Sequence, residues 1–599
     1  MSSQSETILK EVFGYDGFRH SQAQIINCLL DSQDCLVLMP TGGGKSLCYQ
    51  IPALIREGVA IVVSPLIALM QDQVEALKQL GISAGYLNST QDQEQRWATK
   101  NALAAGELKL LYLSPERLLM PDTLDFLDQL EIGLFAIDEA HCVSHWGHDF
   151  RKEYKQLECL PTRFPKVPRI ALTATADKRV RREIVEQLHL EQAQHFVHSF
   201  DRPNICYQVV DADNSRQQLW QFLSNYHQND AGIVYCLSRK RAESVAAWLN
   251  QQGRTALAYH AGMSDQDRAR NQRRFLVENG IVMVATIAFG MGIDKPDVRF
   301  VAHLNLPKNL EAYYQETGRA GRDGLPANAW MAYSLKDVMT LSSFVEDSEA
   351  GDAHKQLMQH KLRTMLGWCE ITSCRRRALL QYFDEIMQEG CGNCDNCLSP
   401  PEVFDNTENA QRALSCVYRT GQRFGVNYLI EILQGSTKDP RVKQYGHDQL
   451  GLVGTGASVP TRDWRDLFRQ LIASGYLTMD DEGYGSLVLD PSCRPVLRGE
   501  VSVMQRHQTK TTKTRKKSAD AELDPEDESL FEALRALRSE LAKQHGIPPY
   551  LVFHDSTLAS LATHKPQEYD ELMNINGIGR QKQERYGEEF LTLIRELAG

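Results

Sequence analysis

The sequence predicts an α/β protein with two lobes, each built on a parallel β-sheet covered by helices, followed by smaller modules. Short apolar, β-branched segments alternate with helical patterns between about residues 30 and 310, and this alternation is typical of parallel sheets. The segments are more numerous than one compact sheet usually holds, and a turn signal at residues 199–203 separates them into two series. After about residue 340, helical patterns and a cysteine cluster replace the alternation.

Each predicted strand is an apolar run that is short for a helix and rich in β-branched side chains. We assign residues 1–200 to the first lobe and residues 201–340 to the second. The predicted strands are residues 35–39, 60–64, 108–114, 133–138, 169–173, 232–236, 281–286 and 300–303.

The composition is that of a globular protein with several domains. At about 100–200 residues per domain, 599 residues correspond to about three to five domains. A content of 42% apolar and 24% charged residues excludes a mostly disordered or collagen-like chain. The net charge of −11 excludes a wholly basic nucleic-acid coat protein but leaves room for a local basic groove. A polar N-terminus and the lack of an apolar run of about 18 residues lead us to expect a cytosolic protein with no membrane partner.

The chain beyond the second lobe divides by composition. Residues 341–405 contain helical patterns and clustered cysteines, and residues 406–505 are predicted to form a mixed module of helices and short strands. Residues 506–529 are a basic run followed by an acidic run, which predicts a flexible linker. Residues 530–599 have helical periodicity and suffice for one small domain. Because a charged linker transmits little packing energy, we expect the two lobes to stay intact when residues 518–599 are removed; whether the last domain binds DNA or docks on the lobes stays open.

A glycine-rich segment, residues 39–46, lies between a predicted strand and a predicted helix. Backbone N–H groups of such a loop can surround a phosphate, while Lys45 can reach the β- and γ-phosphates and Ser46 can bind Mg²⁺. The strict G-x-x-x-x-G-K-[ST] pattern is not met because position 39 is Met. An ordinary glycine-rich turn is the alternative, which the strand–loop–helix context disfavours. The candidate nucleotide-binding residues of this loop are Thr41, Gly42, Gly43, Gly44, Lys45 and Ser46.

Two acids, Asp138 and Glu139, stand at the end of a predicted strand of the first lobe. A carboxylate at the carboxyl edge of a sheet, beside a phosphate loop, can hold Mg²⁺, and we assign this role to Asp138. Glu139 would orient and polarise the attacking water. A helix N-cap followed by a first-turn acid is the alternative, and the neighbouring phosphate loop makes it improbable.

The segment at residues 315–324 of the second lobe carries Arg319 and Arg322, three positions apart. On one helical face or in a tight turn both can point into a cleft, where a planar guanidinium suits the charge that spreads over a γ-phosphate in the transition state. A solvated helix face is the alternative. Because a two-lobe ATPase needs an arginine finger from the facing lobe, we take Gln315, Arg319 and Arg322 as candidate catalytic residues, with Arg322 as the finger.

Three closely spaced cysteines, Cys391, Cys394 and Cys397, together with Cys374 upstream, supply four thiolates. Soft ligands in this number suit a closed, structural Zn²⁺ site in a reducing compartment. A ferredoxin-type iron–sulfur cluster is the alternative, but the position where it needs a further cysteine holds a proline. Cys369 also lies nearby, so these residues by themselves leave the fourth ligand open.

Taken together, the motifs resemble those of the bacterial RecQ helicases, a family of superfamily two, over nearly the whole chain. The absence of a glycine at position 39 is usual in that superfamily, whereas Arg-Lys-Glu-Tyr at residues 151–154 departs from the Arg-Pro-Glu-Tyr that the family leads us to expect and should loosen the exit of the preceding loop. The segments that carry the resemblance are FGYDGFRHSQ (13–22), MPTGGGKS (39–46), SPLIALMQDQ (64–73), DEAHCVSHWGHDFRKEY (138–154), LTATA (172–176), ATIAFGMGIDKP (285–296) and YYQETGRAGRDG (313–324).

This resemblance implies two RecA-like lobes, a zinc-binding helical module, a winged helix and a small C-terminal all-helical HRDC domain. It implies an ATP-dependent DNA helicase that moves 3′ to 5′ on single strands in recombination, repair, the SOS response and replication-fork processing, with ATP, Mg²⁺ and Zn²⁺ as cofactors. It selects Cys374 as the fourth zinc ligand. It also implies that Tyr15, Arg19 and Gln22 bind adenine, for which an aromatic ring, a guanidinium and an amide are suitable groups.

Two segments are candidate DNA contacts. In the loop after Glu139, Trp146 and Phe150 can stack on unpaired bases and Arg151 can contact a phosphate; buried packing residues are the alternative for the two aromatic side chains. In the HRDC-like segment, Tyr550 can stack on a base and Lys582 can contact a phosphate, and packing roles are equally open for both.

We therefore expect a Mg²⁺- and ATP-dependent DNA helicase that acts as a monomer at the bacterial nucleoid. Its expected partners are single-stranded and duplex DNA, single-strand-binding protein and other repair proteins. A double-strand translocase or an RNA helicase on the same motor is the first alternative, disfavoured by the zinc and winged-helix modules. A non-catalytic nucleic-acid-binding scaffold is the second, disfavoured by the intact phosphate loop, acids and arginines.

Overall fold

The chain folds into two parallel-sheet lobes and three smaller C-terminal parts, which confirms the predicted fold class. Within the part of the chain that the structure describes, no helix combines the length and the apolar character needed to cross a bilayer. The structure is a computed structural model, and it describes residues 2–88, 91–144, 151–176, 178–286, 289, 295–348, 351–436, 438–479, 486–506 and 525–598.

The first lobe is built on seven parallel strands: β1 (Cys35–Leu38), β2 (Val59–Val63), β3 (Ala84–Leu87), β4 (Leu110–Leu113), β5 (Ile132–Ile137), β6 (Arg169–Thr173) and β7 (Gln194–Val197). Their order in the sheet is β3-β4-β2-β5-β6-β1-β7. Alternate residues of β1 enter two different apolar cores, so both faces of the sheet are covered. The helices of this lobe are Ser2–Glu11, Gln22–Leu30, Leu47–Ile55, Ile67–Gln79, Gln93–Ala104, Pro115–Leu118, Pro121–Leu127, Lys152–Lys155, Cys159–Arg163 and Lys178–Gln187.

The second lobe is built on six parallel strands: β8 (Ile205–Asp211), β9 (Gly232–Tyr235), β10 (Ala256–Tyr259), β11 (Val282–Ala285), β12 (Phe300–His303) and β13 (Ala327–Tyr333). Their order is β10-β11-β9-β12-β13-β8. In both lobes the loops that leave the carboxyl ends of the strands share one edge of the sheet, which is where open α/β sheets bind ligands. The helices of this lobe are Ser215–Tyr226, Arg239–Gln251, Asp265–Val277, Leu310–Thr317 and Leu335–Glu346.

The modules that follow are small and mainly helical. Helices Asp352–Glu370, Arg375–Tyr382 and Asp395–Leu398 surround the clustered cysteines. Two antiparallel strand pairs, β14 (Val403–Asp405) with β17 (Met504–Arg506) and β15 (Leu477–Met479) with β16 (Leu487–Leu489), accompany the next helices. Those helices are Thr407–Arg419, Val426–Gln434, Pro440–Gln444, Thr461–Ala473 and Arg494–Leu497, and the last domain consists of Pro525–His545, Pro549–Val552, Asp555–His564 and Arg580–Ala598.

The predicted linker, residues 506–529, is too long at both ends. Arg506 closes strand β17, and helix Pro525–His545 begins inside the predicted linker. Acidic residues near a helix N-terminus interact favourably with the helix dipole, and Asp527 also forms an ion pair of 2.7 Å with Lys565. The acidic run therefore begins a helix, while residues 507–524 lie outside the described ranges.

The C-terminal domain packs against both lobes. The N–H group of Gly577 donates a hydrogen bond of 2.7 Å to the carbonyl of Gly14 in the first lobe. On the second lobe, Asn279 donates to the Ser539 hydroxyl at 3.0 Å, and apolar residues of this domain share one core with those of the second lobe. These contacts answer the open question of docking, which the composition of a linker cannot decide, while the expectation that the lobes stay intact without residues 518–599 stays a prediction.

The docking can be broken by adding one methyl group. A Cβ at Gly579 would lie 2.6 Å from the Val12 carbonyl oxygen, closer than such atoms approach, whereas a Cβ at Gly17 would meet nothing within 4 Å. In Gly579→Ala we expect the Gly577 amide to exchange its hydrogen about tenfold faster. This corresponds to a loss of about 1.4 kcal/mol in the free energy of opening the docked contact. Hydrogen exchange measures this, with Gly17→Ala as the control. Equal exchange in the two variants would contradict the docking.

Candidate nucleotide site and zinc centre

The phosphate loop (residues 39–46) joins β1 to helix Leu47–Ile55. Gly42 and Gly44 both adopt φ = +81°, a conformation that other residues rarely take, so the loop can curl back on itself. The Lys45 ammonium group donates to the Met39 carbonyl at 3.0 Å and is held within this curl. The local sequence therefore builds the concave, donor-rich surface that a phosphate needs.

The predicted adenine-binding segment lies directly against the phosphate loop. The amide nitrogen of Gln22 donates to the Gly44 carbonyl at 3.1 Å, and its amide oxygen accepts from the backbone N–H of Arg19 at 2.9 Å. Tyr15 is half-buried and Arg19 is exposed. The structure thus brings Gln22 to the loop, with its amide engaged by backbone groups, and Arg19 is joined to Gln22 through its backbone N–H. The contact of Tyr15, Arg19 and Gln22 with adenine stays a prediction.

The two acids follow β5 at the same edge of the sheet. The backbone N–H of Asp138 donates to the Val63 carbonyl at 2.9 Å, and the Tyr154 hydroxyl donates to the Asp138 carbonyl at 2.9 Å. Glu139 adopts φ = +49°, which is strained for a residue with a side chain and which these neighbours hold in place. Such strain is typical of functional sites.

Burial and neighbouring charges shift the pKa values of the two acids in opposite directions. Burial, assisted by the neighbouring Glu139, raises the pKa of Asp138 to about 7. Burial also acts to raise the pKa of Glu139, but hydrogen bonding and charge at His141, with Lys45 and Arg319, lower it to about 2. Glu139 is therefore an ionised acceptor. The Asp138 carboxylate and the Ser46 hydroxyl are hard oxygen donors of the kind that suit Mg²⁺.

A chain of polar contacts leads from Glu139 into the second lobe. His141 Nδ1 lies 3.3 Å from a Glu139 carboxylate oxygen and 2.9 Å from the Thr173 hydroxyl. The backbone N–H of Thr175 donates to the Thr173 hydroxyl at 3.2 Å, and the Gln315 amide donates to the Thr175 hydroxyl at 3.2 Å. The candidate water-activating acid is thus connected to the facing lobe. Thr173 and Thr175 were not predicted as site residues; their place at the carboxyl end of β6, within the LTATA motif, was the available signal.

Both candidate arginines of the second lobe approach the first lobe. They lie in the arginine turn (residues 318–322) that follows helix Leu310–Thr317. Arg319 is buried, and its charge acts on Glu139. A Cβ at Gly42 would lie 3.4 Å from the Cα of Arg322, so the turn rests against the phosphate loop. The structure therefore unites the predicted phosphate, acid and arginine residues in one interlobe site.

The residues predicted to contact DNA are less well supported than those of the nucleotide site. Trp146 and Phe150 lie outside the described residues. The Arg151 guanidinium donates to the Pro65 carbonyl at 3.0 Å. Tyr550 is only 7% exposed, because helix Pro549–Val552 turns it into the domain core, so the expectation of an exposed stacking ring is wrong here. Lys582 is half-buried, burial lowers its pKa to about 8 and its ammonium lies 5.9 Å from the Phe553 ring centre; its contact with a phosphate stays a prediction.

Four cysteines form a cluster suited to zinc. The sulfur atoms of Cys374, Cys391, Cys394 and Cys397 all lie within 4.8 Å of one another, close to the spacing of about 3.8 Å that tetrahedral Zn–S bonds of about 2.3 Å require. A hydrogen bond from Cys391 lowers the pKa of Cys394 to about 5, so a thiolate is readily formed. Cys369 is fully buried outside the cluster, and burial raises its pKa to about 12. The cluster therefore selects Cys374 as the fourth ligand.

Backbone N–H groups support the sulfur atoms, as is usual around structural metals. The N–H groups of Arg377 and Cys391 lie 3.4 and 3.3 Å from the Cys374 sulfur. The Arg375 guanidinium, fully buried, binds Asp395 at 2.6 Å, and Asp395 also accepts from the Val209 N–H at 2.9 Å. The cluster is thereby fixed to β8 at the edge of the second lobe.

Comparisons with known proteins agree with this organisation. The family models that match are DEAD/DEAH box helicase at residues 19–184, helicase conserved C-terminal domain at 214–324, RecQ zinc-binding at 335–398, RQC domain at 400–514 and HRDC domain at 527–594.

Two curated relatives match over nearly their whole length. The ATP-dependent DNA helicase RecQ of Haemophilus influenzae is 43% identical over 593 residues, which cover 98% of this chain and 95% of the relative. The protein of the same name from Bacillus subtilis is 40% identical over 600 residues, covering 100% and 99%. Among solved structures, the DEAD-box helicase Mss116 bound to ssRNA and UDP-BeF is 16% identical, with a TM-score of 0.47 over 61% of this chain and 82% of that chain.

The zinc site is predicted to be structural. We expect about one Zn²⁺ per purified chain, and Cys394→Ser should lose it and unfold at a markedly lower temperature, because structural zinc contributes roughly 10–16 kcal/mol in small modules. Elemental analysis and thermal denaturation measure both effects. Cys369→Ala, which changes a buried cysteine of the same module outside the cluster, should keep the zinc. Retained zinc in Cys394→Ser, or a brown, iron-containing protein, would contradict the assignment.

Proposed function

Because the chain belongs to the RecQ family of ATP-dependent DNA helicases, we propose that it hydrolyses ATP between its two lobes and uses this cycle to separate DNA strands. The phosphate loop binds the phosphates, Lys45 neutralises the β- and γ-phosphate charge, and Tyr15, Arg19 and Gln22 hold adenine. Glu139, ionised in the folded protein, orients the attacking water and accepts its proton. Arg322, with Arg319 beside it, stabilises the charge that develops on the γ-phosphate.

Mg²⁺ is the expected metal of this reaction. The Ser46 hydroxyl and the Asp138 carboxylate would hold it, and the ion would supply positive charge to the bound phosphates. The elevated pKa of Asp138 reflects a buried carboxyl group whose charged form needs a cationic neighbour. These donors therefore fit the ion that the reaction needs.

One observation carries the proposal more than any other. Polar contacts run without a break from Glu139 through His141 and Thr173 to Thr175 and Gln315, and so from the first lobe to the second. A change in lobe arrangement would alter the surroundings of the water-activating acid, which is how hydrolysis becomes coupled to movement along a strand. A scaffold without catalysis would have no use for this connection.

From the family and from the modules we also propose the direction of movement, the DNA contacts, the cellular role and the partners of the protein. The motor moves 3′ to 5′ on single strands, with the winged-helix part meeting the duplex, and serves recombination, repair, the SOS response and replication-fork processing. The loop with Trp146 and Phe150 contacts the single strand. The protein acts as a monomer in the bacterial cytoplasm, at the nucleoid, where single-strand-binding protein and other repair proteins are its partners.

Strand displacement tests the proposal directly. With ATP and Mg²⁺ we expect release of the labelled strand from a 3′-tailed DNA duplex and at least tenfold slower release from a 5′-tailed one. Glu139→Gln should bind nucleotide and DNA yet displace nothing, because it lacks the proton-accepting carboxylate.

Single-stranded RNA in place of DNA is the control for the substrate class. DNA should stimulate ATP hydrolysis far more than RNA does. Equal stimulation by both, or ATP hydrolysis without displacement from either tail, would contradict the proposal and favour an RNA helicase or a translocase.

A further inference from the structure

Arg202 lies in the hinge segment (residues 199–204) between the two lobes and is only 7% exposed. Its two terminal nitrogens donate to four backbone carbonyls. One nitrogen binds Thr41 at 2.7 Å and Gly318 at 3.0 Å, and the other binds Ala320 at 2.8 Å and Gly321 at 2.9 Å. The two terminal nitrogens of this planar group thus each bind two main-chain carbonyls.

These acceptors belong to two functional segments. Three of them are in the arginine turn (residues 318–322), and the fourth, Thr41, is in the phosphate loop of the other lobe. One guanidinium therefore fixes the backbone that presents Arg319 and Arg322 and also touches the loop against which that backbone rests.

The hinge segment around Arg202 is fixed to the second lobe. The Asn204 amide donates to the carbonyls of Gly321 and Leu325 at 2.8 and 2.9 Å. The Tyr314 hydroxyl donates to the Phe200 carbonyl at 2.8 Å. Arg202 therefore belongs with the second lobe, and its bond to Thr41 is one of the contacts that join this lobe to the first.

We propose that Arg202 is a positioning residue for ATP hydrolysis: it holds the arginine turn in its working conformation when the phosphate loop closes on it. This inference rests on the proposed function of the site, because it acts through Arg322 and touches no substrate atom. Loss of Arg202 leaves the phosphate loop, Lys45 and the acids in place, so nucleotide binding survives while the rate of the chemical step falls.

A second buried arginine supplies a matched control. Arg254 is 9% exposed and donates to the carbonyls of His227 at 2.6 Å and Asp230 at 2.7 Å. It precedes β10, at the amino edge of the second sheet, whereas the nucleotide site lies at the carboxyl edge. Arg254→Gln therefore removes the same kind of contact from the same lobe without touching the arginine turn.

A kinetic double-mutant cycle tests the proposal in the full-length protein, by single-turnover ATP hydrolysis with DNA present. We expect Arg202→Gln to lower the hydrolysis rate by about 30-fold or more while nucleotide affinity changes less than about threefold. In the Arg322→Ala background the same substitution should cost less than about threefold, because residues that act as a unit are non-additive. Arg254→Gln should lower the thermal midpoint but leave the rate within about twofold in both backgrounds.

The outcomes distinguish failure of the positioning role of Arg202 from failure of the finger role of Arg322. An equal loss from Arg202→Gln in both backgrounds, or a normal rate in Arg202→Gln, would overturn the positioning role. A normal rate in Arg322→Ala by itself would instead overturn the finger assignment, and the cycle is then run against Arg319→Ala. If Arg202→Gln does not fold, Arg202→Lys, which keeps the charge but loses the fork, must show the same background-dependent loss at a smaller amplitude.

Discussion

The contact between the phosphate loop and the arginine turn is the constraint on which the rest of the structure depends. It requires backbones of two lobes to approach within van der Waals distance: a Cβ at Gly42 would lie 3.4 Å from the Cα of Arg322, and one at Gly318 would lie 3.5 Å from Thr41. Both distances are those of ordinary van der Waals contact, and glycine at position 42 is required by its φ of +81°. In the mechanism that we propose, the acids sit on one lobe and the arginines on the other, so hydrolysis is tied to the closed arrangement and opening of the lobes dismantles the site.

The zinc module contacts the hinge segment that carries Arg202. The carbonyl of Pro203, next to Arg202 in the hinge, accepts from Arg376 at 3.2 Å and from Asn393 at 3.0 Å. The N–H group of Phe200 donates to Glu385 at 2.8 Å. These side chains lie between the first and last cysteines of the cluster, so a bound zinc ion would stabilise the hinge as well as its own module. A structural metal far from the reacting atoms can thus influence how the lobes meet.

The sequence predicted the central strands and the local motifs well, for a physical reason. Central parallel strands are buried on both faces and appear as continuous apolar runs. The lobe strands absent from the prediction are the four edge strands of the two lobe sheets, β3, β7, β8 and β10, and one interior strand, β13. Edge strand β7 is largely exposed and β8 alternates in burial. The phosphate loop, the acids and the arginines are each recognised from a short sequence motif. The contact of Gln315 with Thr175, the buried position of Tyr550 and the docking of the last domain depend on tertiary packing that a single sequence does not display.

The central claim is that the second lobe completes the ATP site, and the turnover number of Arg322→Ala tests it most directly. Measured as DNA-stimulated phosphate release, it should fall on the order of 10³-fold while nucleotide affinity stays within about twofold, because the finger acts on transition-state charge and not on ground-state binding. Arg270→Ala, at an exposed position of the same lobe, provides the reference. Near-normal turnover in Arg322→Ala and also in Arg319→Ala would contradict the claim.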